Sequence, residues 1–368
     1  ATTEIYTSFP TRRSSDLPPQ KQALLKGAHL LVGTPGRTLE HLEYNNIDCS
    51  QLKILVLDEA DRMLEDGFAE EMTKILDLLP KERQTLLFSA TFPESMEALS
   101  RNYQKDPERV KITEVVQSSP LIRQYLYHAE NPQKVATLLK ILQHHPSPCT
   151  LIFCRTKATV AEIGEKLAAA KLSSQVLHGD LEQSERDRAT SLFRNGSLRV
   201  LVATDVAARG LDIDTLELVV NVDLPISPEV YIHRIGRTGR AGRKGTAVSI
   251  ATDFEVQKIA DIEAATGVKM IRQPLGTGKA VNLATLLRES ATKTIQISGG
   301  RLDKLRPGDI LGALTGEPEP LPGADIGKIE IHDRFSFVAV ASPTAEKALA
   351  KLRTVKIKGS KFKAYLVE

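Results

Sequence analysis

Three carboxylates stand together just after a short apolar run. Asp58, Glu59 and Asp61 follow residues 54–57, whose sequence Ile-Leu-Val-Leu predicts a buried strand. Nucleotide hydrolysis needs one carboxylate to hold Mg²⁺ on the phosphates and a second group to position the attacking water. This spacing is typical of a nucleotide-hydrolysing site. An ordinary acidic turn between a strand and a helix is the alternative.

A cluster of basic side chains lies in the second half of the chain. His233, Arg237 and Arg240 fall within one short segment, and the three-residue spacing of the arginines predicts that both lie on one side of a helical turn. Guanidinium groups of this kind can stabilise the charge of a transferring phosphoryl group. Taken alone, the segment could be a basic surface patch, but the stretch Ala208–Asp212 precedes it and favours the phosphoryl-transfer interpretation.

Four other short motifs accompany these two, and the six occur in a fixed order. They are Thr34-Pro-Gly-Arg37, Asp58-Glu-Ala-Asp61, Ser89-Ala-Thr91, Gln183-x-x-Arg186, Ala208-Arg-Gly-Leu-Asp212 and His233-Arg-Ile-Gly-Arg-Thr-Gly-Arg240. The set resembles the DEAD-box family of ATP-dependent RNA helicases. The resemblance covers about residues 18–368 and implies ATP and Mg²⁺ as cofactors and RNA as the partner.

The resemblance implies a role for each residue of the nucleotide site. Asp58 would organise Mg²⁺ through water, and Glu59 would be the base that positions the attacking water. Asp61 would bond to the segment of Ser89 and Thr91 and so link the ATP site to RNA. In the second half of the chain, Arg237 and Arg240 would act as arginine fingers and Asp212 would contact the ribose. The full set of residues that would act on the nucleotide from this half is Gly210, Asp212, His233, Arg237 and Arg240.

A second set of residues would grip RNA by its sugar-phosphate backbone. By resemblance this set comprises Thr34, Gly36, Arg37, Arg186, Thr204 and Asp205. Backbone contacts suit a protein that must act on any sequence. The Gln183-x-x-Arg186 pattern by itself is also typical of a solvated helix face.

Apolar runs alternate with amphipathic stretches from about residue 28. Such alternation predicts α/β domains with parallel sheets, whose ligands bind beyond the carboxyl ends of the strands. The predicted strands are 29–32, 54–57, 85–88, 150–153, 175–177, 200–203, 218–222 and 246–250, and the predicted helices are 68–79, 134–143, 160–170 and 184–193.

The predicted fold class is two RecA-like parallel-sheet domains, the first incomplete, followed by a small α+β domain like an RNA recognition motif (RRM). The expected limits are an unrelated segment at 1–17, which resembles a sequence artefact, then 18–116, 121–271, a connector at 272–292, and 293–368.

The glycine-rich phosphate loop expected of such a helicase is missing. No G-x-x-x-x-G-K-S/T sequence precedes Asp58, and the adenine-reading segment is missing as well. Gly276-Thr-Gly-Lys279 looks similar, but Ala280 replaces the hydroxyl residue that would bind Mg²⁺ and no apolar strand leads into it. We therefore expect weak or absent ATP hydrolysis, with uncovered apolar faces that make the first half prone to aggregation.

The C-terminal segment has features of an RNA-binding domain. Its predicted strands are 294–297, 328–332, 335–340 and 362–367, with a helix at 345–352. Phe335 and Phe337 alternate and would lie on one face of the sheet, either as base-stacking aromatics or as core residues. Gln296 stands where the neighbouring strand usually offers an aromatic, which counts against stacking across the sheet.

The sequence of residues 304–316 and 323–329 resembles that of the C-terminal domain in one bacterial subfamily of DEAD-box helicases. That resemblance implies docking on a hairpin of the large-subunit ribosomal RNA and a role in large-subunit assembly. The candidate phosphate contacts are Lys356, Lys358, Lys361 and Lys363.

Charge and composition agree with these expectations. Residues 293–368 have a net charge of +4 and the rest of the chain −1, which favours a phosphate-binding C-terminal segment over an evenly charged one, although a solvated helix face is the alternative. The apolar runs are too short for a membrane span. Three cysteines without a C-x-x-C pair indicate packed thiols in a cytoplasmic protein.

Two classes of function therefore stay open. The first is an ATP-dependent RNA helicase targeted to ribosomal RNA. The second is a catalytically inactive RNA-binding fragment, because the phosphate loop is missing. We expect neither a membrane partner nor a preference for DNA.

Overall fold

The structure is a computed structural model. It describes residues 6–9, 17–25, 27–65, 67–89, 91–110, 121–208, 216–239, 242–274 and 290–367, with the backbone alone for 6–9, 17–19 and 65. The chain divides into two compact units, residues 1–112 and 113–368.

The first unit contains short parallel strands with helices between them. Among its described residues, β1 pairs with β2, and β3 pairs with β4, both in parallel. Its elements are β1 (Tyr6–Phe9), α1 (Leu17–Leu24), β2 (Leu30–Gly33), α2 (Pro35–Glu43), β3 (Ile54–Leu57), α3 (Ala60–Glu65), α4 (Ala69–Leu78), β4 (Gln84–Leu87) and α5 (Glu94–Tyr103).

One face of the β3–β4 pair packs on helices and the other is exposed. Leu55 and Leu57 contact the cluster built on Met72 and Met96. The alternate side chains point outward because successive residues of a strand face opposite sides: Val56 keeps 50% of its surface exposed, and Ile54 and Phe88 keep 55% and 54%. The predicted uncovered apolar face is confirmed for these residues.

The second unit begins with an α/β domain built on a parallel sheet. Among the described residues its strand order is β11-β5-β10-β9-β6-β8-β7. Its elements are β5 (Ile122–His128), α6 (Lys134–His144), β6 (Thr150–Cys154), α7 (Lys157–Ala169), β7 (Ser174–Leu177), α8 (Gln183–Arg194), β8 (Val200–Thr204), α9 (Asp205–Ala208), β9 (Leu218–Asn221), α10 (Pro228–Ile235), β10 (Gly245–Ala251), α11 (Val256–Thr266) and β11 (Ile271–Gln273).

Helices cover both faces of this sheet. Ile152 faces the side on which α6 and α7 pack, whereas Leu151 and Phe153 face α8. Helices α10 and α11 pack on β5 and β10. Burial on both faces explains why the strands are nearly continuous apolar runs.

The same unit ends in a small α+β domain with an antiparallel sheet of order β13-β14-β12-β15. The order of its elements, strand-helix-strand-strand-helix-strand, is the predicted RRM-like one. They are β12 (Thr292–Ile297), α12 (Pro307–Thr315), β13 (Ile326–Ile331), β14 (Ser336–Ala341), α13 (Ala345–Thr354) and β15 (Ala364–Val367).

The predicted fold class of parallel α/β sheets followed by a small α+β domain is confirmed. Each predicted strand and helix is present within a few residues of its expected limits. The sequence analysis missed β5, whose apolar positions are interrupted by Arg123 and Gln124, and the three-residue edge strand β11. It did not name several helices; they are α1, α2, α3, α5, α9, α10, α11 and α12.

Two elements extend into segments that the sequence analysis set apart. Strand β1 lies within residues 1–17 and pairs with β2. Strand β11 pairs with β5 up to Gln273, and β12 already begins at Thr292, so both overlap the expected connector at 272–292. Within the described parts of the chain, helices long and apolar enough to cross a bilayer are absent.

Candidate active site and nucleic-acid interface

The acidic turn lies at the carboxyl end of β3, as the sequence predicts. The Phe88 amide donates to the Leu57 carbonyl (2.8 Å) and the Ala60 amide to the Phe88 carbonyl (3.0 Å), which places the turn beside the end of β4. Glu59 adopts a positive φ of 51°, and its amide donates to Asp58 Oδ1 at 3.0 Å. This backbone leaves the Asp58 and Glu59 side chains exposed.

Glu59 has a partner that the sequence analysis did not name. Arg62 Nη1 donates to Glu59 Oε2 across one turn of α3. Because 64% of the Glu59 side chain is exposed, such an ion pair adds little stability and can exchange with solvent or a ligand. The three-residue spacing of an acid and an arginine at a helix start was the available signal.

Asp61 is buried and joins the two motifs at the strand ends. Its Oδ2 accepts from the Thr91 amide at 2.9 Å and from the Thr91 hydroxyl at 2.8 Å, and its Oδ1 from the Arg62 amide at 3.0 Å. Burial alone would raise the pKa of the Asp61 carboxyl, but the Thr91 and Arg62 donors outweigh it and lower that pKa. Ser89 closes the segment by donating to the Thr91 carbonyl. The predicted link between Asp61 and this segment is therefore present.

The first motif forms the start of α2. Thr34 is the residue before the helix, Pro35 is its first residue, and the Thr38 amide donates to the Thr34 carbonyl at 3.0 Å. Gly36 has open space where a Cβ would stand. Free amides at a helix N-terminus attract phosphate groups, which agrees with the predicted RNA contact.

Arg37, predicted to contact the RNA backbone, is buried in this structure. Its side chain is 7% exposed, and Nη1 donates to Glu40 Oε2 at 2.8 Å. His41, which lies one turn later on the same side of α2, is also buried. In this arrangement Arg37 supports the helix start that carries Thr34 and Gly36.

In the second unit, Arg186 lies half-buried on the N-terminal half of α8. The helix start is capped reciprocally: the Glu182 amide donates to Glu185 Oε2 at 3.0 Å, and the Glu182 side chain accepts from the backbone at Glu185. This cap fixes the first turn of the helix. Thr204 and Asp205, also half-buried, stand at the carboxyl end of β8.

The Asp205 carboxylate is held by an arginine that the sequence analysis left without a role. Arg234 Nε and Nη2 donate to the two Asp205 oxygens at 2.6 and 2.7 Å. Arg234 is 3% exposed. Its spacing from Tyr231 and Ile235, which are also buried, was the signal that this arginine of the basic motif faces inward.

The basic motif is only partly helical. Helix α10 ends at Ile235, and Gly236 follows as its C-cap. The chain continues as a turn in which the Arg237 amide donates to the Arg234 carbonyl at 3.2 Å. The position of Arg237 and Arg240 on one side of a helical turn stays a prediction, because Arg240 lies outside the described residues. His233 is exposed and Arg237 half-buried. The predicted positions that lie outside the described residues are Gly210, Asp212, Arg240 and Gly276–Lys279.

In the C-terminal domain, one row of side chains crosses the sheet. The register places Phe337 opposite Glu330 and Gln296, and Gln296 opposite Tyr365, so all four share the face away from α12 and α13. Phe337 is 1% exposed, with the Phe335 ring 5.2 Å from it, centroid to centroid. Tyr365 is 46% exposed and was missed by the sequence analysis.

Helix α8 and the turn after it cover part of this face. Glu330 accepts from Ser191 Oγ at 2.5 Å and Arg194 Nη1 at 2.7 Å. Thr294 bonds to Asn195 Nδ2 at 3.2 Å and Ser197 Oγ at 2.7 Å. Val367 packs on the cluster that contains the apolar face of α8. Base stacking on Phe337 is therefore not available in this structure, because its ring is buried; of the two interpretations of this residue, the core one applies.

The four lysines that were predicted to contact phosphate are exposed. Lys358 occupies a tight turn with φ of 51°, and its Nζ donates to the Lys304 carbonyl at 2.7 Å. That bond joins the loop after α13 to the loop before α12. The predicted phosphate contacts, all exposed, are Lys356, Lys358, Lys361 and Lys363.

Among the described residues, one group combines a histidine with two carboxylates. His128 Nδ1 lies 3.3 Å from Asp253 Oδ1, and His128 Nε2 lies 3.6 Å from Glu130 Oε1. The two carboxylates face different ring nitrogens. For Mg²⁺, an oxygen-seeking ion, the exposed Asp58 carboxylate is chemically the better match.

Comparison with known proteins agrees with this arrangement. Three family models match: "DEAD/DEAH box helicase" at residues 5–99, "Helicase conserved C-terminal domain" at 133–242 and "DbpA RNA binding domain" at 294–365. The first match includes part of the segment 1–17 that we expected to be unrelated. The chain is also 44% identical over 350 residues to the ATP-dependent RNA helicase DbpA of Escherichia coli, covering 95% of this chain and 75% of that protein.

The chain belongs to the DEAD-box ATP-dependent RNA helicases. A second DbpA, from Bacillus subtilis, is 36% identical over 94% of this chain and 75% of its own length. The solved structure of S. cerevisiae Dbp5 bound to RNA and ADP BeF3 is similar with a TM-score of 0.60 and 32% identity, covering 71% of this chain and 70% of that one. The family resemblance and the resemblance of the C-terminal domain to the DbpA subfamily are confirmed.

In DEAD-box helicases the acidic turn after this strand belongs to the ATP site. The residues that the structure places at the end of β3 fit a nucleotide-bound divalent cation: Asp58 offers an exposed carboxylate, and Asp61 is already committed to Thr91. Bound there, Mg²⁺ would neutralise phosphate charge.

Proposed function

We propose that this DEAD-box helicase acts on large-subunit ribosomal RNA in the cytoplasm, with ATP and Mg²⁺ as cofactors, and takes part in large-subunit assembly. The observation that supports the targeting is the RNA-binding domain at 294–365, whose four candidate lysines are exposed. A cationic surface of this kind attracts RNA through phosphate contacts, which position the RNA and do not specify its sequence. RNA is the partner, with no preference for DNA and no membrane partner.

Residues of both α/β domains are proposed to bind and hydrolyse ATP. Asp58 would hold Mg²⁺. Glu59 would position the attacking water once its carboxylate has left the ion pair with Arg62. The second α/β domain would supply the residues that contact the nucleotide. They are His233, Arg237 and Arg240 for catalysis, and Gly210, Asp212, Arg237 and Arg240 for nucleotide binding.

The RNA roles extend over both units. Thr34 and Gly36 present the start of α2, and Arg37 supports it through Glu40. Arg186 and Thr204 offer polar side chains on α8 and at the end of β8. Ser89 and Thr91 would couple the two sites through Asp61, because one carboxylate holds that segment. Domain limits of 18–116, 121–271 and 293–368 remain part of the proposal.

A second candidate function is RNA binding without turnover. The observation that favours it is the separate RNA-binding domain matched at 294–365, whose binding of RNA does not require ATP hydrolysis. The two functions make opposite predictions for hydrolysis and the same prediction for RNA binding.

The experiment that separates them is RNA-stimulated ATP hydrolysis by the purified chain. The matched control is Glu59→Gln, which keeps the size of the side chain and removes the base. Turnover that requires RNA and disappears in the variant supports the helicase. No turnover in either protein, with retained RNA binding, supports the binding module.

The targeting is tested through the dependence of RNA affinity on salt. A variant with alanine at the four lysines (Lys356, Lys358, Lys361 and Lys363) should bind a large-subunit RNA hairpin more weakly. The slope of log affinity against log salt should fall by about 3, since each lost phosphate contact removes about 0.7–0.9.

The control removes four exposed lysines from elsewhere, so that the net charge changes equally; they are Lys81, Lys105, Lys166 and Lys171. If both variants lose affinity and slope to the same extent, the effect comes from net charge alone and the lysine surface of the C-terminal domain is not the RNA site.

A further inference from the structure

Arg234 occupies an unusual position among the residues of the basic motif. Its guanidinium is buried beneath the carboxyl edge of the sheet, where Nε and Nη2 grip both oxygens of Asp205. Its remaining terminal nitrogen, Nη1, donates to Asn221 Oδ1 at 3.0 Å and to the Asp223 carbonyl at 2.7 Å. The guanidinium carbon also lies 5.0 Å from the centre of the Phe153 ring.

These contacts tie together segments that are distant in sequence. Asp205 follows β8, Asn221 ends β9, and Arg234 belongs to the last turn of α10. A two-point contact between a guanidinium and a carboxylate fixes the rotation of the pair as well as its distance. The end of β8 and the end of α10 therefore cannot shift independently while this pair is intact.

The two ends carry residues with different proposed partners. Thr204, immediately before Asp205, is proposed to contact RNA. On the other side, the Arg237 amide donates to the Arg234 carbonyl at 3.2 Å. The next residue, Thr238, is buried, and its hydroxyl donates to the Leu216 carbonyl. Arg234 therefore stands between an RNA-facing strand end and an arginine proposed to face the nucleotide.

We propose that Arg234 is a positioning residue that couples RNA occupancy at the end of β8 to the placement of Arg237. The inference rests on the proposed function, in which Thr204 meets RNA and Arg237 meets the nucleotide. RNA that displaces or steadies Thr204 acts on Asp205, and the buried arginine transfers that change to the turn after α10. Lysine at this position could keep the charge but not the two-point grip.

The test compares hydrogen exchange in the whole chain, with and without a single-stranded RNA oligonucleotide. Peptides covering 200–208 and 233–239 report on the two ends. In the unsubstituted protein RNA should slow exchange in both. In Arg234→Lys it should still slow exchange in 200–208, whereas the RNA-induced slowing in 233–239 should fall on the order of tenfold, the size of a typical coupling between sites.

Arg123→Lys is the matched control, because Arg123 is an exposed arginine on β5 in the same sheet. It should leave the RNA response of both peptides unchanged. A purely structural role for Arg234 predicts something else: faster exchange in both peptides before RNA is added, and no selective loss in 233–239.

A second variant keeps the inference testable if Arg234→Lys does not fold. Arg234→Gln also removes the two-point grip, leaves every proposed RNA contact in place, and should cause the same selective loss.

The outcomes separate the inference from the proposed function. If RNA slows exchange in neither peptide of the unsubstituted protein, the proposed RNA contact at Thr204 fails, and the inference fails with it. If RNA slows both peptides equally in the unsubstituted protein and in Arg234→Lys, the RNA contact stands and the coupling role of Arg234 is rejected.

Discussion

Removing the Glu330 carboxylate should release the C-terminal domain from α8. Glu330→Ala takes away the acceptor for Ser191 and Arg194, and the Glu330 side chain is only 11% exposed. Hydrogen bonds to a charged group contribute about 1.5–3 kcal/mol each. Because Arg194 is 25% exposed and recovers some hydration, we expect a total loss of about 3 kcal/mol. That loss shifts the docking equilibrium roughly a hundredfold toward the released state.

The assay is single-molecule FRET between dyes on Lys171→Cys and Lys347→Cys. Both positions are exposed, and the native cysteines that are not fully buried are replaced by serine; they are Cys49 and Cys149. Glu330→Ala should broaden and lower the FRET distribution. Glu346→Ala is the control, since it removes the same charge from an exposed site on α13. A Glu330→Ala distribution that matches the control would refute the reasoning.

Acid should reproduce the effect of this substitution. Burial raises the pKa of Glu330, but the Ser191 and Arg194 donors outweigh it, and its pKa lies below the usual 4.5. A carboxyl with a lowered pKa stabilises the docked form fully above that usual value, and the stabilisation is lost as pH falls through the lowered pKa. The FRET change in the unsubstituted protein should therefore begin below about pH 4.5, and Glu330→Gln should remove this pH dependence.

Three further predictions concern stability and solubility. Asp61→Asn should lower the free energy of unfolding of the first unit by about 1–2 kcal/mol in urea titrations, because Thr91 loses a charged acceptor; an unchanged midpoint would contradict this. Burial raises the pKa of Asp223, but the Arg155 and Lys134 donors outweigh it and lower that pKa. Asp223→Asn should therefore reduce the fall in melting temperature below about pH 3.8. An equally steep fall in the variant would argue against this. Replacing Val56 by Thr and Phe88 by Ser should reduce light scattering at constant melting temperature, and equal scattering would mean that this face does not drive association.

Most of the secondary structure could be predicted because it depends on local patterns. Apolar runs at 150–153 and 200–203 became buried strands almost residue for residue, since both faces of a parallel sheet are covered. The edge strand β11 was missed, because an edge strand is short and partly exposed. Helix α10 was missed as well, although Pro228 at its start and Gly236 at its end are typical helix boundaries.

The sequence by itself determined the family, the order of its motifs and the carboxylates at the end of β3, because these depend on residue type and short spacing. It also determined the link between Asp61 and Thr91, since parallel strands bring their carboxyl ends together. The tertiary structure alone decided that Arg234 grips Asp205, that Arg37 is buried, and that α8 docks on the face of the sheet that carries Phe337. Those contacts depend on how helices rotate and dock on the sheets. Local periodicity restricts the buried face of a helix but does not choose its partner.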